Sequence, residues 1–264
     1  MSQVRISIVT PSLDQVRFVE RTVESVLGQR GDFELEYLVM DGGSTDGTLE
    51  VLRRYAGRLA LHVEPDAGQA DAVNKGLRRA SGDIIGWVNS DDLLCPGALE
   101  AVATAFREHP EAMWLQGRCP IVDAEGRVIR RWVSAYKERL CRAHRYDRLL
   151  LENYVSQMTV FWRRELTDRV GLLDASLRYA FDFDLWLRFA RDSEPLFLDR
   201  PLAAFRWYPS SKSGASFHHQ FAEDYQVFLR YAPDSAWLRL RKRLQSAAIV
   251  GAYRLLTRRG GADS

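Results

Sequence analysis

The stretch GWVNSDDLLCPGAL, residues 86–99, joins an apolar strand pattern to a charged turn. The apolar run of residues 84–88 predicts a strand buried on both faces. It ends at Asp91 and Asp92, and a helix is predicted to follow Pro96. Adjacent carboxylates repel each other and lose hydration at the end of a buried strand, so the pair needs a partner that offsets this cost.

The chain around this strand alternates between the patterns of strands and helices. The predicted strands are residues 6–9, 37–40, 59–63 and 84–88. The predicted helices are residues 18–27, 48–55, 70–80 and 97–109. This order predicts an α/β fold with a mainly parallel sheet that is covered by helices on both faces.

Polar clusters follow each of these strands. They are Thr10–Asp14, Asp41–Asp46, Glu64–Asp71 and Asn89–Asp92. Ligands of open α/β sheets bind in the crevice at the carboxyl ends of the strands. The sequence therefore predicts a binding site at this edge.

The pattern changes after Met113. Strands are predicted at residues 113–117, 157–162 and 197–208, with a hairpin at residues 121–129. Helices are predicted at residues 183–190, 221–231 and 236–256, whereas residues 136–154 have no clear period. Because no linker-like segment interrupts the chain, one catalytic domain is expected.

Bulk composition narrows the class of protein. With 264 residues, 46% hydrophobic and 27% charged, the chain has the composition of a globular protein. A net charge of +2 gives no indication of a nucleic-acid partner. Three cysteines without CxxC spacing fit a reducing compartment. No apolar run approaches the roughly 20 residues of a membrane span, so a cytoplasmic location is expected, or a peripheral one at the inner face of the membrane.

Three motifs contain candidate functional carboxylates, and each has a structural alternative. Asp91 and Asp92 could hold Mg²⁺ or Mn²⁺, or they could cap the helix after Pro96. Asp41, which precedes two glycines, could contact a nucleoside or belong to a turn. Asp182, set among aromatic residues, could be a partly desolvated base or a helix cap.

Six motifs in order resemble glycosyltransferase family 2, the inverting nucleotide-sugar transferases. They are ISIVTPSLDQ, LVMDGGSTDGT, GQADAVNKGL, GWVNSDD, SQMTVFWRR and YAFDFDLWLR. The resemblance covers residues 4–215 and is closest to bacterial enzymes that assemble surface polysaccharides. It implies the A-type glycosyltransferase fold, in which a Rossmann-like nucleotide-binding half and an acceptor-binding half share one sheet. In this chain the domain would be residues 1–232, with halves 1–112 and 113–232, followed by a basic amphipathic helix and tail at residues 233–264.

The resemblance also implies residue roles for the donor and the metal. Thr10 and Pro11 would line the base pocket, and Asp41 would contact the base. Asp91 would contact the donor, and Asp92 would bind the Mn²⁺ or Mg²⁺ ion that holds the diphosphate.

The catalytic role implied by the resemblance falls to Asp182 as general base, with Asp184 as the second candidate. This mechanism requires the acid pair and Asp182 to face one cleft. The chain departs from the family pattern at Gly42, Val73 and Phe181, where the family often has a second acid, an Arg and a Glu. Lys75 or Lys212 could replace the missing arginine contact to phosphate, although both could equally be solvated surface lysines.

These features predict a glycosyltransferase that uses a nucleotide-sugar donor and a saccharide or lipid-linked acceptor. A sugar nucleotidyltransferase and a non-catalytic saccharide-binding protein are the alternatives. The C-terminal segment carries apolar residues near one face, with Arg239, Arg241, Lys242 and Arg243 beside it. Such a helix could lie on an anionic membrane or pack on the domain with its charges in water.

Overall fold

The computed structural model describes residues 3–211, 217–232 and 234–259. Its strands, in chain order, are β1 (Arg5–Ser12), β2 (Glu34–Asp41), β3 (Ala60–Val63), β4 (Ile84–Trp87), β5 (Leu93–Leu94), β6 (Trp114–Arg118), β7 (Ile121–Val122), β8 (Val128–Ile129), β9 (Phe161–Arg163), β10 (Leu196–Pro201) and β11 (Ala203–Arg206). Its helices are α1 (Val19–Leu27), α2 (Thr48–Arg53), α3 (Gln69–Arg79), α4 (Ala98–Glu108), α5 (Arg131–Arg142), α6 (Tyr146–Leu151), α7 (Arg164–Val170), α8 (Phe181–Asp192), α9 (Phe217–Tyr231) and α10 (Ala236–Arg259).

The larger sheet has seven strands in the spatial order β10-β6-β9-β4-β1-β2-β3. Strands β1 to β4 are mutually parallel where they pair, and β6 is parallel to β10. Strand β9 runs antiparallel to both of its neighbours, β4 and β6. The predicted α/β architecture with one mainly parallel sheet is confirmed.

A second sheet of four short strands, in the order β5-β11-β7-β8, lies next to the acid pair. Strand β5 begins directly after Asp92 and pairs antiparallel with β11. Strand β11 also pairs with β7, so it joins the first half of the chain to the second. Because β5 follows Asp92 directly, the pairing of β11 with β5 brings Arg206 of β11 beside Asp91 and Asp92.

Alternate residues of the central strands pack into two apolar cores, as expected for strands covered on both faces. Ile8 and Ile84 belong to the core that contains α1 and α4. Val9 and Ile85 belong to the other core, which contains α3 and α8. This two-sided burial explains why the strands read as continuous apolar runs in the sequence.

Gly86 permits the close packing of β4 and β9. A Cβ atom at this position would lie 2.6 Å from the ring of Phe161 and 2.8 Å from Cδ1 of Ile8. The antiparallel strand therefore fits only beside a residue without a side chain.

The second half differs in detail from the sequence prediction. Residues 136–154, which showed no period, contain most of α5 and all of α6, and helix α7 was not predicted. The strand predicted at residues 157–162 is a short 3₁₀ helix at Gln157–Thr159 followed by β9. The segment 197–208 forms two strands instead of one.

Helix α10 docks on the domain through one face. Leu238 packs against the core, and Lys242 is only 1% exposed. On the outward side, Trp237 and Leu244 are 64% and 61% exposed. No helix within the described residues is long and apolar enough to cross a membrane.

Candidate active site

Asp92 occupies a buried position behind the end of β4. It has no exposed surface. Its Oδ1 accepts a hydrogen bond from the backbone N–H of Arg206 at 2.9 Å, and its Oδ2 accepts one from Nδ2 of Asn89 at 3.1 Å. Burial, together with the charge of Asp91, raises the pKa of Asp92 well above its usual range.

Asp91 is the more accessible member of the pair. The hydroxyl of Tyr208 donates to its Oδ2 at 2.9 Å, and burial raises its pKa. The turn that presents both acids is fixed from α1, because the Thr22 hydroxyl donates to the carbonyls of Ser90 and Asp92. Asp91 is thus half-buried on a turn held by α1, whereas Asp92 is fully buried.

Arg206 adds a buried positive charge to the acid pair. Its Nε donates to the carbonyl of Asp91 at 2.9 Å, and its guanidinium lies 4.6 Å from the ring centroid of Phe18. Its Nη2 is buried and has no hydrogen-bond partner within the described part of the chain. A donor left unpaired in this way favours an anionic ligand beside the acids.

The acid pair fits a divalent cation that is shared with a phosphate ligand. Burial raises the pKa of both carboxylates, and the charge of Asp91 adds to the rise at Asp92, so a bound cation would stabilise the ionised pair. Among the residues that the structure describes, no group of three or more His, Cys, Asp or Glu side chains could complete a metal site. Mg²⁺ is often bound in this way, through one or two carboxylates plus substrate phosphates.

Asn89 connects the acid pair to a neighbouring cavity, which it lines. Besides donating to Asp92, its Nδ2 donates to Oε1 of Gln157 at 3.1 Å. Its Oδ1 accepts hydrogen bonds from Nε1 of Trp87 at 2.9 Å and from Nε2 of Gln69 at 2.8 Å. The side chain is thereby held in one orientation between the acids and the cavity.

Asp182 lines the same cavity, which has a volume of about 360 Å³. Its Oδ1 accepts the backbone N–H of Phe183 at 2.7 Å, and its Oδ2 accepts Nδ2 of Asn153 at 3.4 Å. Burial, with a smaller contribution from Asp224, raises the pKa of Asp182 to about 6, although Lys137 acts in the opposite direction. The carboxylate is thus suited to take up a proton near neutral pH.

The N-terminal turn of α8, which carries Asp182, is held from α9 by Glu223. The Glu223 carboxylate accepts the backbone N–H groups of residues 178–180 at 2.5–2.8 Å. A neighbouring ion pair joins Asp224 to Lys242 of α10. Lys242 also donates to the carbonyl of Leu151 at 2.9 Å, and it lines the cavity.

Sequence reasoning missed Glu223, Asp224 and Lys242 as contributors to the site. Lys242 was grouped with its exposed arginine neighbours, but it differs from them because its side chain enters the domain. Leu238 and Lys242 are four residues apart and share the docked face of α10. That spacing was the available signal, although the partner carboxylate on α9 could not be read from it.

Asp184 does not reach the cavity and is held in a closed ion-pair network. It is 3% exposed, its Oδ2 lies 2.9 Å from Nη2 of Arg188, and its Oδ1 accepts the Tyr231 hydroxyl at 2.7 Å. Since Asp182 and Asp184 point to different surroundings, the geometry disfavours Asp184 as the second candidate for the base.

Asp41 is held inside its own loop. Its carboxylate accepts the backbone N–H groups of Gly43 and Ser44 and the Ser44 hydroxyl, at 2.7–3.0 Å. Asp66, from the segment after β3, lies where a second acid would follow Asp41: a Cβ at Gly42 would be 2.5 Å from its Oδ2. The sequence placed Asp66 only within the polar cluster Glu64–Asp71, and its position beside Gly42 singles it out.

The other predicted donor residues lie at the carboxyl edge of the sheet or beside it. Thr10 and Pro11 are buried at the end of β1, and Oγ1 of Thr10 accepts the Tyr37 hydroxyl at 3.2 Å. Lys75 donates to the Pro65 carbonyl at 2.7 Å and pairs with Asp71, so its charge stabilises the loop before α3. None of the three lines the cavity. Lys212 lies outside the described residues.

Comparisons with known proteins agree with this architecture. The family model described as Glycosyl transferase family 2 matches residues 7–170. The PGL/p-HBAD biosynthesis glycosyltransferase of Mycobacterium bovis (strain BCG / Pasteur 1173P2) is 30% identical over 188 residues, which are 69% of this chain and 68% of that protein.

Two solved structures share the fold. S. aureus TarS 1-349 in complex with UDP-GlcNAc has a TM-score of 0.66 and 18% identity, over 90% of this chain and 69% of that one. The chain spans 41% of a longer TarS structure. The mannosyltransferase PcManGT from Pyrobaculum calidifontis, in complex with GDP-Man and Mn²⁺, has a TM-score of 0.64 and 18% identity, over 97% and 81% of the two chains.

Proposed function

Since the chain belongs to glycosyl transferase family 2 and is a glycosyltransferase, we propose that it transfers a sugar from a nucleoside-diphosphate donor to an acceptor hydroxyl with inversion. The observation that carries this proposal is the shared cavity. Asp182 lines it, and so does Asn89, which donates to Asp92.

In the proposed reaction, Asp182 takes the proton of the acceptor hydroxyl. The acceptor oxygen forms a bond to the anomeric carbon while the bond from that carbon to the donor phosphate oxygen breaks. The electron pair of the broken bond leaves with the nucleoside diphosphate. A carboxyl with a pKa of about 6 suits this role, because it is mostly deprotonated at neutral pH and still has substantial proton affinity.

The acid pair is proposed to hold Mn²⁺ or Mg²⁺ together with the donor diphosphate. Asp91 is the better candidate for the direct ligand, because both oxygens of the buried Asp92 already accept hydrogen bonds. Asp92 would then not touch the cation, but its negative charge would strengthen cation binding at Asp91. When bound, the cation would offset the charge that develops on the departing diphosphate. Arg206 would add a fixed donor through its unpaired Nη2.

The nucleobase is proposed to bind near Thr10 and Pro11, at the ends of β1 and β2. Because the Asp41 carboxylate is occupied by its own loop, Asp66 is the better candidate for contacting the base. Asp41 would act indirectly by holding the loop in shape, and Lys75 by fixing the segment that carries Asp66.

The acceptor is proposed to be a saccharide or a lipid-linked saccharide of cell-surface polysaccharide biosynthesis. The relative named for PGL/p-HBAD biosynthesis is compatible with a role in glycoconjugate assembly. Helix α10 supports peripheral association with the inner face of the membrane, because Trp237, Leu240 and Leu244 are exposed alongside Arg239, Arg241 and Arg243.

Product analysis with a donor panel tests the function. The protein would be incubated with UDP- and GDP-sugars, each with Mn²⁺, Mg²⁺ or EDTA, and the anomeric configuration of the product would be read by NMR. We expect transfer that depends on the metal and inverts the configuration. A product that retains the configuration would contradict the mechanism, and donor binding without transfer to any acceptor would contradict the function.

A further inference from the structure

The cavity beside Asp182 has walls of two kinds. Several of its polar side chains are already bonded to each other: Asn89 contacts Gln69 and Gln157, and Asp224 pairs with Lys242. These groups are committed to holding the walls in place.

The side chain of Asn153, beside Asp182, still has an unpaired polar atom. Oδ1 of Asn153 is buried and has no hydrogen-bond partner among the described residues, while its Nδ2 donates to Asp182. A ligand hydroxyl could satisfy this oxygen while a neighbouring hydroxyl reaches the Asp182 carboxylate. The unpaired acceptor of Asn153 therefore lies on the side chain that contacts the proposed base.

Apolar and aromatic groups form much of the remaining wall. Helix α5 contributes Trp132, Val133 and Tyr136 from successive turns, and α10 contributes Ile249. Trp132 and Tyr136 are 57% and 47% exposed, although both line the cavity. Large aromatic surface left in water beside a cavity favours an apolar ligand group that would cover it.

We propose that the acceptor carries its reacting hydroxyl on a sugar or polyol bearing an apolar group, with the hydroxyls at Asp182 and Asn153 and the apolar group against Trp132, Tyr136 and Ile249. This inference rests on the proposed function, since it takes Asp182 as the base. An aryl group and an alkyl chain share the required chemistry. The volume of about 360 Å³ lies in the range of small-molecule sites.

Acceptor binding tests the inference without requiring turnover. The full chain, with UDP and Mn²⁺ present, would be titrated with methyl, phenyl and octyl glycosides of glucose, galactose and mannose, and binding followed by calorimetry. We expect the phenyl or octyl glycoside to bind about tenfold more tightly than its methyl counterpart in at least one sugar series. Preference for phenyl alone would identify an aryl group, and preference for octyl alone an alkyl chain.

Matched variants localise the effect. Trp132→Ala should weaken binding of the preferred glycoside by about five- to tenfold, because it removes aromatic contact area. Trp237→Ala, an exposed tryptophan that does not line the cavity, should leave the affinity unchanged. No preference over methyl in any series, or equal effects of the two variants, would overturn the inference. Failure of transfer with every donor and acceptor, with the binding preference intact, would count against the proposed function alone.

Discussion

Asp182 illustrates a conflict between reactivity and stability at a single residue. Its folded-state pKa of about 6 exceeds the ordinary value of 3.8, so the folded chain binds this proton more tightly than the unfolded chain does. The resulting stabilisation is complete below about pH 4 and is lost as the pH rises through about 6. At neutral pH the ionised base therefore costs stability.

Replacing Asp182 by Asn should separate these two effects. We expect Asp182→Asn to lower kcat by at least about a hundredfold, through loss of the base. The same variant should be more stable at pH 7.5, by on the order of 2 kcal/mol, and the gain should vanish near pH 4. Thermal unfolding measured across pH, together with a transfer assay, checks both results.

Asp184→Asn is the control for that experiment. Because it removes the charge from a buried pair with Arg188, it should destabilise the fold at neutral pH. Residual activity should then track the folded fraction. A stabilised Asp184→Asn variant, or a fully active Asp182→Asn variant, would contradict these assignments.

The two acids after β4 should respond differently to amide substitution. Asp91→Asn should abolish most of the Mn²⁺-dependent rise in melting temperature that is measured with UDP present, because it removes the more accessible carboxylate of the pair. Asp92→Asn should retain a larger part of that rise, since Asn can still accept the Arg206 backbone N–H. The reverse order of effects would identify Asp92 as the direct ligand.

At the scale of elements, Glu223 links α9 to the N-terminus of α8. Its carboxylate accepts three consecutive backbone N–H groups just before Asp182. Glu223→Gln should cost on the order of 1–2 kcal/mol of stability and should lower kcat more than it raises donor KM. Glu50→Gln, at an exposed position in the first turn of α2, provides the control. A normal kcat in folded Glu223→Gln would exclude a positioning role.

The ion pair between α9 and α10 makes a separate prediction about pH dependence. The charge of Asp224 raises the pKa of Asp182, and that of Lys137 lowers it. The pKa of Asp224 is in turn lowered by Lys242 and raised by Glu152. Lys242→Met leaves Asp224 without its counter-ion, so the acid limb of kcat/KM should move to higher pH by about 0.5–1 unit.

Two further variants test that explanation. Asp224→Asn combined with Lys242→Met should return the acid limb toward the wild-type position, because it removes the unpaired carboxylate. The exposed neighbour Arg241 supplies the matched control, and Arg241→Met should leave the limb in place. A limb that does not move in the single Lys242 variant would contradict the proposed coupling.

The sequence predicted elements well where local pattern determines them. The βα repeats up to α4 were found within a few residues, because each buried strand and helix face carries its own period. Helix α5 was not predicted, because its buried residues are only Ser134, Leu140 and Cys141, which are too few to show a helical period. Its large residues Trp132 and Tyr136 are exposed instead. Strand β9 has three residues, too few for any period.

Candidate site residues could be predicted from the sequence only where they stand at the end of a predicted strand or helix. Asp91, Asp92 and Asp182 stand at element ends. Asp182 lines the cavity, whereas the acid pair is connected to it only through Asn89. Glu223 and Lys242 reach the surroundings of Asp182 through contacts that are distant in sequence, and Asp66 reaches the Asp41 loop in the same way. Asp184 lies two residues from Asp182, and nothing in the local pattern indicates that the helix turns it away.

Helix α10 is expected to bring the whole molecule into contact with an anionic membrane surface. The wild-type protein should co-sediment with vesicles that contain anionic lipid. Replacing Arg239, Arg241 and Arg243 by Gln should reduce this binding by on the order of a hundredfold, since each cation contributes about 1 kcal/mol near such a surface. The triple variant should keep its activity on a water-soluble acceptor. Equal binding to neutral vesicles, or unchanged binding of the variant, would contradict the proposal.

The position of β9 has a consequence for biosynthesis on the ribosome. Strand β4 is synthesised long before β9 (Phe161–Arg163), the strand that pairs with one of its edges. Strand β6 joins the sheet only by pairing with β9, so it also has to wait for β9. Until then the nascent chain exposes an unpaired edge beside Gly86, which is vulnerable to misassociation. A fragment ending near residue 112 should therefore aggregate when expressed alone.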